Sequence, residues 1–330
     1  MPDTKLDAII IGAGPVGLAC AIEIQRQGLT VAVVDKGALV NSIVGYPTQM
    51  EFFSTPELLE IGGHPFPMAS YKPHREDALD YYQRVAAAEK LDLRLYERVT
   101  GLRGQAGDFV VETDRGELAA RTVVVATGFF DVPNYLGVPG EELPHVNHYY
   151  KEPYAHAGRD VVVVGAKNSS AKAALALTRA GARVALVVRG PEVSESVKYW
   201  IRPDLLNRIK EGRIQAYFNT TIDAITPTTV EVTTPDGPRS LPATYVYALT
   251  GYRPDYSLLL DALALPLDEN DPARPPLFNP ATHESARPGV YVAGTVCGGL
   301  ATSRWFIENG RHHAQLIAKD LASKPVLAPG

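Results

Sequence analysis

One pattern occurs twice in this chain, and it constrains the fold more than any other feature. Near the start, the apolar run Asp7–Ile11 leads into a turn with glycines at 12, 14 and 17. A helical stretch follows from about Pro15 to Gln27, closed by Gly28, and a second run, TVAVVD, ends in Asp35. From Arg159 to Gly190 the same order recurs: strand, turn, helix, Gly181, strand. Short apolar runs bounded by turn residues read as buried parallel strands, and the stretch between them has the period of a helix. Each unit is followed by a β-meander. In the first, FVVETD and ELAARTVVVAT flank the turn Asp114–Gly116; the second meander ends in YVYALTGYRPD, Tyr245 to Asp255. GVYVAGT, Gly289 to Thr295, then reads as a strand returning to the first unit. The expected fold is α/β: two Rossmann-like dinucleotide-binding domains, each with a β-meander, the second inserted into the first. Residues 1–150 and 256–330 are expected to form the outer domain and 151–255 the inserted one.

The first turn carries the complete dinucleotide fingerprint. Gly12 permits the tight turn, Gly14 lets the backbone approach a pyrophosphate, and Gly17 lets helix and strand pack closely. The helix that begins at Pro15 offers free N–H groups and about half a positive charge to that pyrophosphate. Asp35, eighteen residues after Gly17, can accept the hydroxyls of a ribose. The meander and the strand ending VVVATG, Val123 to Gly128, resemble the FAD domain of two-dinucleotide flavoproteins. FAD contacts are therefore expected at Gly12, Gly14, Pro15, Gly17, Asp35, Lys36, Val99, Ala126, Thr127, Gly128, Gly294 and Thr295.

The second turn departs from the fingerprint. It reads GAKNSS, with Gly165 in place, Lys167 where the second glycine belongs and Ser170 at the third. One reading is a degenerate turn that packs and binds nothing. The other has Lys167, Asn168, Ser169 and Ser170 donating hydrogen bonds to a phosphate chain. Where an NAD site carries an acid, this chain has Arg189, whose guanidinium suits a 2′-phosphate that a carboxylate would repel. Lys198 is a second cation nearby, and Gly251 ends the meander strand. The preferred ligand is NADPH rather than NADH.

Composition closes off other classes. The formal charge of −5 over 330 residues argues against a nucleic-acid partner, which needs a clustered basic surface. No uninterrupted apolar run of about 18 residues is present, so no transmembrane helix is expected, and MPDTK does not read as a leader. Two unclustered cysteines, Cys20 and Cys297, exclude a disulfide scaffold and a zinc knuckle, and suit a reducing cytoplasm.

Longer stretches are more specific. NSIVGYPTQMEFFSTPELLEIGG (Asn41–Gly63), HYYKEP (His148–Pro153), VVVVGAKNSSAKAAL (Val161–Leu175), SESVKYWIRPD (Ser194–Asp204) and FIENGR (Phe306–Arg311) resemble the thioredoxin-reductase-like flavoproteins. Within them, the likeness is to the bacillithiol-disulfide reductase family, over nearly the whole chain. It implies a homodimeric or homotetrameric FAD enzyme that takes hydride from NADPH and reduces a small disulfide or a redox carrier protein. It also places GYPT, with Tyr46 and Pro47, beside the isoalloxazine ring.

Two departures stand out. The CxxC pair of thioredoxin reductases is absent, and Val16 occupies the position just after the turn proline where the resemblance implies a cysteine. Cys20, one helical turn on, and Cys297, after the AGT turn, are the candidate redox sulfurs; each has the alternative of packing as a small hydrophobe. Thr295 stands where many relatives carry an aspartate to the flavin. His145 and His148 have a metal-like spacing and are expected to form a polar interdomain connection instead; no metal is expected. His312 and His313 are expected to be partly exposed on the last helix. Rival readings are a ferredoxin- or flavodoxin-NADP reductase, which needs no cysteine, and a non-catalytic NADPH-binding redox sensor.

Overall fold

The computed structural model describes residues 5–324. The chain divides into two compact units, one of residues 1–44, 50–132 and 252–330, the other of residues 45–49 and 133–251.

In the first unit, β1 (Leu6–Ile11) leads through the glycine turn to α1 (Pro15–Arg26) and β2 (Val31–Asp35). Helix α2 (Arg75–Ala88) then feeds β3 (Asp92–Leu95), and the meander follows as β4 (Val99–Gln105), β5 (Asp108–Thr113) and β6 (Gly116–Val125). The strands form one sheet in the order β3-β2-β1-β6-β5-β4. β1 lies parallel to both β2 and β6, with Ile9 opposite Ala32 and Val123. β5 runs antiparallel to β4 and β6. The return strand Val290–Val292 pairs in parallel with the end of β6, Val290 opposite Val123. Ile9, Val34, Phe109, Val123, Val125 and Val292 meet in one buried cluster. α1 is buried from Gly17 to Ile22 and at Ile24, because it lies between this sheet and the closing helix His313–Ser323. Near-continuous apolar strands and a small-residue helix are what a sheet covered by helices requires.

The second unit repeats the plan with β7 (Asp160–Val164), α3 (Asn168–Arg179), β8 (Arg183–Val187), α4 (Arg202–Lys210) and β9 (Ile214–Tyr217). Its meander is β10 (Thr221–Ile225), β11 (Thr229–Thr234) and β12 (Gly237–Pro242), followed by β13 (Tyr245–Ala248). Here the two units diverge. β6 runs unbroken from meander to parallel sheet, whereas β10-β11-β12 form a sheet of their own and β13 joins β7 separately. The break falls at Pro242, which has no N–H to continue a ladder. The next two donors turn elsewhere, Ala243 N–H to Thr228 O and Thr244 N–H to Asp160 O.

The inserted unit also begins earlier than the expected residue 151. Leu136, Val138, Leu143 and Val146 pack on its buried cluster of Val162, Val164, Ile225 and Val246, and the short strand Val146–Asn147 extends its sheet beside β13. The chain leaves it at Gly251 rather than Asp255, since Tyr256, Leu258 and Leu259 pack into the first unit's core.

Candidate functional site

The glycines of the first turn are required for different reasons. Gly12 has φ +115°, and a Cβ there would lie 2.5 Å from Ala126 O. A Cβ at Gly17 would lie 1.9 Å from Gly12 O, so only glycine lets α1 approach the turn this closely. Gly14 is different. It caps α1 with φ −75°, a conformation any residue adopts, and its Cβ would meet nothing within 4 Å. The chain itself has no need of glycine at 14. The space kept open there, in front of Pro15 at the helix start, is what a phosphate approaching the backbone needs.

The surrounding elements converge on this turn. Ala126 N–H donates to Ile11 O, and Ala293 N–H donates to Val125 O, so the ends of β1, β6 and the return strand are level. Gly128 (φ +72°) faces Thr295 Oγ1, 3.6 Å from where its Cβ would be, and a Cβ on Gly294 would sit 3.3 Å from the Val16 side chain. Asp35 accepts from Ala13 N–H and Gly37 N–H, both at 2.7 Å. Burial raises its pKa above the usual carboxylate value and these two N–H donors oppose the rise. Lys36 pairs with Asp131 at 2.9 Å. A pocket of about 430 Å³ opens here, lined by Gly12, Asp35, Lys36, Val99, Thr127 and Gly128. The same pocket is lined by Glu97, Arg98 and the stretch Asp255–Ala262, which the sequence did not point to. That stretch contains a π-helical turn, Leu258–Ala262, started by Leu258 N–H donating to Asp255 Oδ1; no glycine or repeat marks it. The pocket lies at the C-terminal ends of β1 and β2, beside Ile11, Gly12, Val34 and Asp35. Tyr46 and Pro47 are not among its lining residues: they lie in the segment grouped with the second unit, where Thr48 N–H donates to Lys151 O and its hydroxyl lies 3.0 Å from Glu152 Oε2.

In the second unit Gly165 repeats Gly12, with φ +133° and a Cβ position 2.5 Å from Leu249 O. The rest of the turn is used differently from the expectation. Ser170, where Gly17 stands in the first unit, is 1% exposed and donates to Lys167 O at 2.9 Å, so its hydroxyl is not offered to a phosphate. Asn168 is likewise committed: its amide donates to Ser196 O and accepts from Lys198 N–H. Lys167 and Ser169 remain exposed at the start of α3, and Arg189 is exposed at the end of β8. Lys198 Nζ lies 5.8 Å from the centre of the Trp200 ring. Gly251 has φ +96° and accepts from Asn134 N–H. His148 turns to Ala248 O at 3.2 Å and Glu141 at 3.4 Å, making a connection within this unit.

The match to known families falls on this framework. The model of the pyridine nucleotide-disulphide oxidoreductase family covers residues 9–294, from β1 to the end of the return strand. The chain belongs to that family. It is an FAD- and NADPH-dependent oxidoreductase. It is 40% identical over 321 residues to bacilliredoxin reductase Bdr of Bacillus subtilis (strain 168), covering 96% of this chain and 98% of the relative. Among solved structures it resembles bacillithiol disulfide reductase Bdr (YpdA) from Bacillus cereus, with a TM-score of 0.93, 40% identity and 97% and 99% of the two chains covered. The Staphylococcus aureus protein of the same name gives a TM-score of 0.93 at 36% identity, covering 98% and 99%.

For an oxidoreductase of this family the state of the two sulfurs matters. Cys20 is fully buried in α1, and burial pushes its thiol pKa up to about 12. Cys297 is 1% exposed, and burial, then the neighbouring Cys20, raise its pKa as well. At both positions burial favours the thiol over the thiolate, and Cys20, the sixth residue of α1, lies beyond the first turn in which the helix dipole acts. Cys297 Sγ lies 3.9 Å from His283 Nδ1 and 4.0 Å from His313 Nδ1. Both imidazole nitrogens are already tied to the main chain, His283 to Val292 O and His313 as acceptor from Gly294 N–H. The trio thus knits the closing helix to the turn after the return strand. His313 is therefore buried, at 3% exposure, and not partly exposed as expected, because one residue of helix turns it inward from the exposed His312.

Proposed function

We propose that this chain catalyses reduction of a bacillithiol-type disulfide by NADPH. The net reaction consumes NADPH and a proton, cleaves one S–S bond to two thiols and releases NADP⁺. The carrying observation is the full-length likeness to the Bdr proteins, whose names state bacillithiol disulfide or bacilliredoxin as what they reduce. FAD, when bound, supplies two-electron transfer between nicotinamide and disulfide. The remaining roles belong to side chains and backbone of this chain. The open space at Gly14 and the start of α1 receive the FAD pyrophosphate, and Asp35 accepts ribose hydroxyls on its remaining lone pairs. Val99, Thr127, Gly128, Gly294 and Thr295 would hold the bound FAD, with Thr295 offering a hydroxyl where an aspartate is common. Lys167, Ser169 and the N–H groups of α3 hold the NADPH phosphates, and Arg189 with Lys198 hold its 2′-phosphate. Because Cys20 and Cys297 are buried and protonated, the disulfide is reduced without a mixed disulfide to either. We place the reaction in a reducing cytoplasm and in a homodimer or homotetramer, which light scattering reads directly.

The test is an anaerobic acceptor panel with the NADPH-reduced holoprotein: bacillithiol disulfide, a bacilliredoxin-type mixed disulfide, other small disulfides, ferredoxin and quinones. Turnover of a bacillithiol disulfide well above the others supports the reading. Turnover of ferredoxin alone would replace it with a ferredoxin-NADP reductase.

A further inference from the structure

The stretch SESVKYW follows β8 after a short loop, and the structure ties it to the second nucleotide turn at three points. Ser194 N–H donates to Ala166 O at 3.0 Å, within the turn itself. Asn168 Nδ2 donates to Ser196 O at 3.2 Å, and Lys198 N–H donates to Asn168 Oδ1 at 3.0 Å. Asn168, the first residue of α3, thus spends both ends of its amide on this segment. Val193 and Val197, 1% and 2% exposed, anchor it in the core of the unit from below. A segment held this tightly would be expected to end in polar surface. Instead it raises Tyr199, 82% exposed, and Trp200, 45% exposed, their rings 4.8 Å apart and perpendicular. Lys198 lies over the Trp200 ring. An exposed indole with a cation beside it, pinned to a phosphate-binding turn, offers a flat π-face and a positive charge to one ligand.

The geometry points to Trp200, flanked by Tyr199, as the stacking platform for the adenine of NADPH, with Asn168 as the positioning residue that fixes Lys198 and Trp200 against the turn. This rests on the reading of the second unit as the NADPH site and adds what recognises the base. Two separate terms then contribute to preference for NADPH over smaller hydride donors: charge on the 2′-phosphate and stacking on the base. Stacking of a base on an aromatic side chain is worth on the order of tenfold in binding.

The chain has two tryptophans, Trp200 and Trp305, so a Trp305→Phe holoprotein reports on Trp200 alone. Titration with NADP⁺ and with 2′,5′-ADP is expected to change its emission saturably, while nicotinamide mononucleotide is not. In stopped-flow flavin reduction, Trp200→Ala is expected to lower the discrimination between NADPH and reduced nicotinamide mononucleotide by about tenfold. Asn168→Ala is expected to lower it in the same direction, and Asn168→Gln to restore part of it. An unchanged discrimination in Trp200→Ala, or an emission change with the mononucleotide but not with 2′,5′-ADP, would overturn the inference while leaving the NADPH site standing. So would a loss of oligomer in Trp200→Ala at unchanged NADPH affinity, which would make a second copy of the chain the occupant. If the wild-type protein shows no NADP⁺ binding by calorimetry, the reading of the second unit fails with it.

Discussion

Acidification from pH 7 to pH 5 is expected to remove about 2 kcal/mol of stability from the first unit through His313 alone. The residue is 3% exposed, and burial, followed by the neighbouring His283 and His312, lowers its pKa from 6.5 to about 3. The folded protein therefore keeps His313 neutral at a pH where the unfolded chain takes up a proton. The sign follows directly. Stability is fully present above the unfolded pKa, declines as pH falls below about 6.5, and is lost entirely near the folded value. Each pH unit inside that window costs about 1.4 kcal/mol per proton, so the 1.5 units between 6.5 and 5 cost about 2 kcal/mol. His283 has a pKa lowered by burial too, and acts in the same direction. The assay is urea unfolding of the holoprotein followed by flavin fluorescence, at pH 7, 6 and 5, in the wild type and His313→Gln. Glutamine retains an acceptor for Gly294 N–H but cannot take up a proton. The variant should lose about one proton's worth of slope between pH 6 and 5. Identical slopes in the two proteins would mean that His313 is solvated or protonated in the fold, and that the Gly294 contact is not what holds the turn.

Gly14→Val should leave the fold intact, since its Cβ meets no atom of the chain, but should strongly lower FAD occupancy of the purified protein; full occupancy, read by absorbance, would move the pyrophosphate elsewhere. Arg189→Ala should reduce the preference for NADPH over NADH by about tenfold or more, the worth of a charge-assisted hydrogen bond, measured as the ratio of flavin-reduction rates at limiting nucleotide. Cys20→Ala combined with Cys297→Ser should keep NADPH-driven flavin reduction and disulfide turnover, with losses confined to repacking; loss of turnover in Cys20→Ala alone, with fast flavin reduction, would make Cys20 the reacting sulfur.

The repeat, the sheet order near β1 and the glycines of the first turn are readable because backbone sterics fix them locally. Gly12 and Gly17 are forced by carbonyl oxygens within 2.5 Å of their Cβ positions, and a turn of that kind leaves its spacing in the sequence. What the sequence did not convey depended on distant partners. Ser170 reads as a phosphate donor until its hydroxyl is seen to satisfy Lys167 O. Leu136 and Val138 fall in the expected outer domain until they are found packed on Val162 and Ile225, which moves the unit boundary by nearly twenty residues. His313 carries no periodic mark separating it from His312; its burial follows from the closing helix packing on α1. The π-helical wall at Leu258–Ala262 has no residue signature at all, since a π-turn is imposed by packing and not by propensity.

The sulfur chemistry follows from one small substitution and its surroundings. Val16 is half-buried, with its side chain 3.3 Å from where a Cβ on Gly294 would lie and 3.4 Å from that of Gly310. Two glycines therefore make room for a branched side chain at the helix start, beside the turn that also holds Thr295. The resemblance puts a cysteine at this position, and a thiol there would sit at the N-terminus of α1, where the helix dipole favours a thiolate. In the mechanism proposed above, neither Cys20 nor Cys297 takes over that role. One lies a full turn inside the helix, and both have pKa values raised by burial. Both sulfurs are buried: Cys20 lies in α1, which packs against the closing helix, and Cys297 lies within about 4 Å of His283 and His313. Electron transfer that bypasses both sulfurs leaves that core closed throughout the reaction.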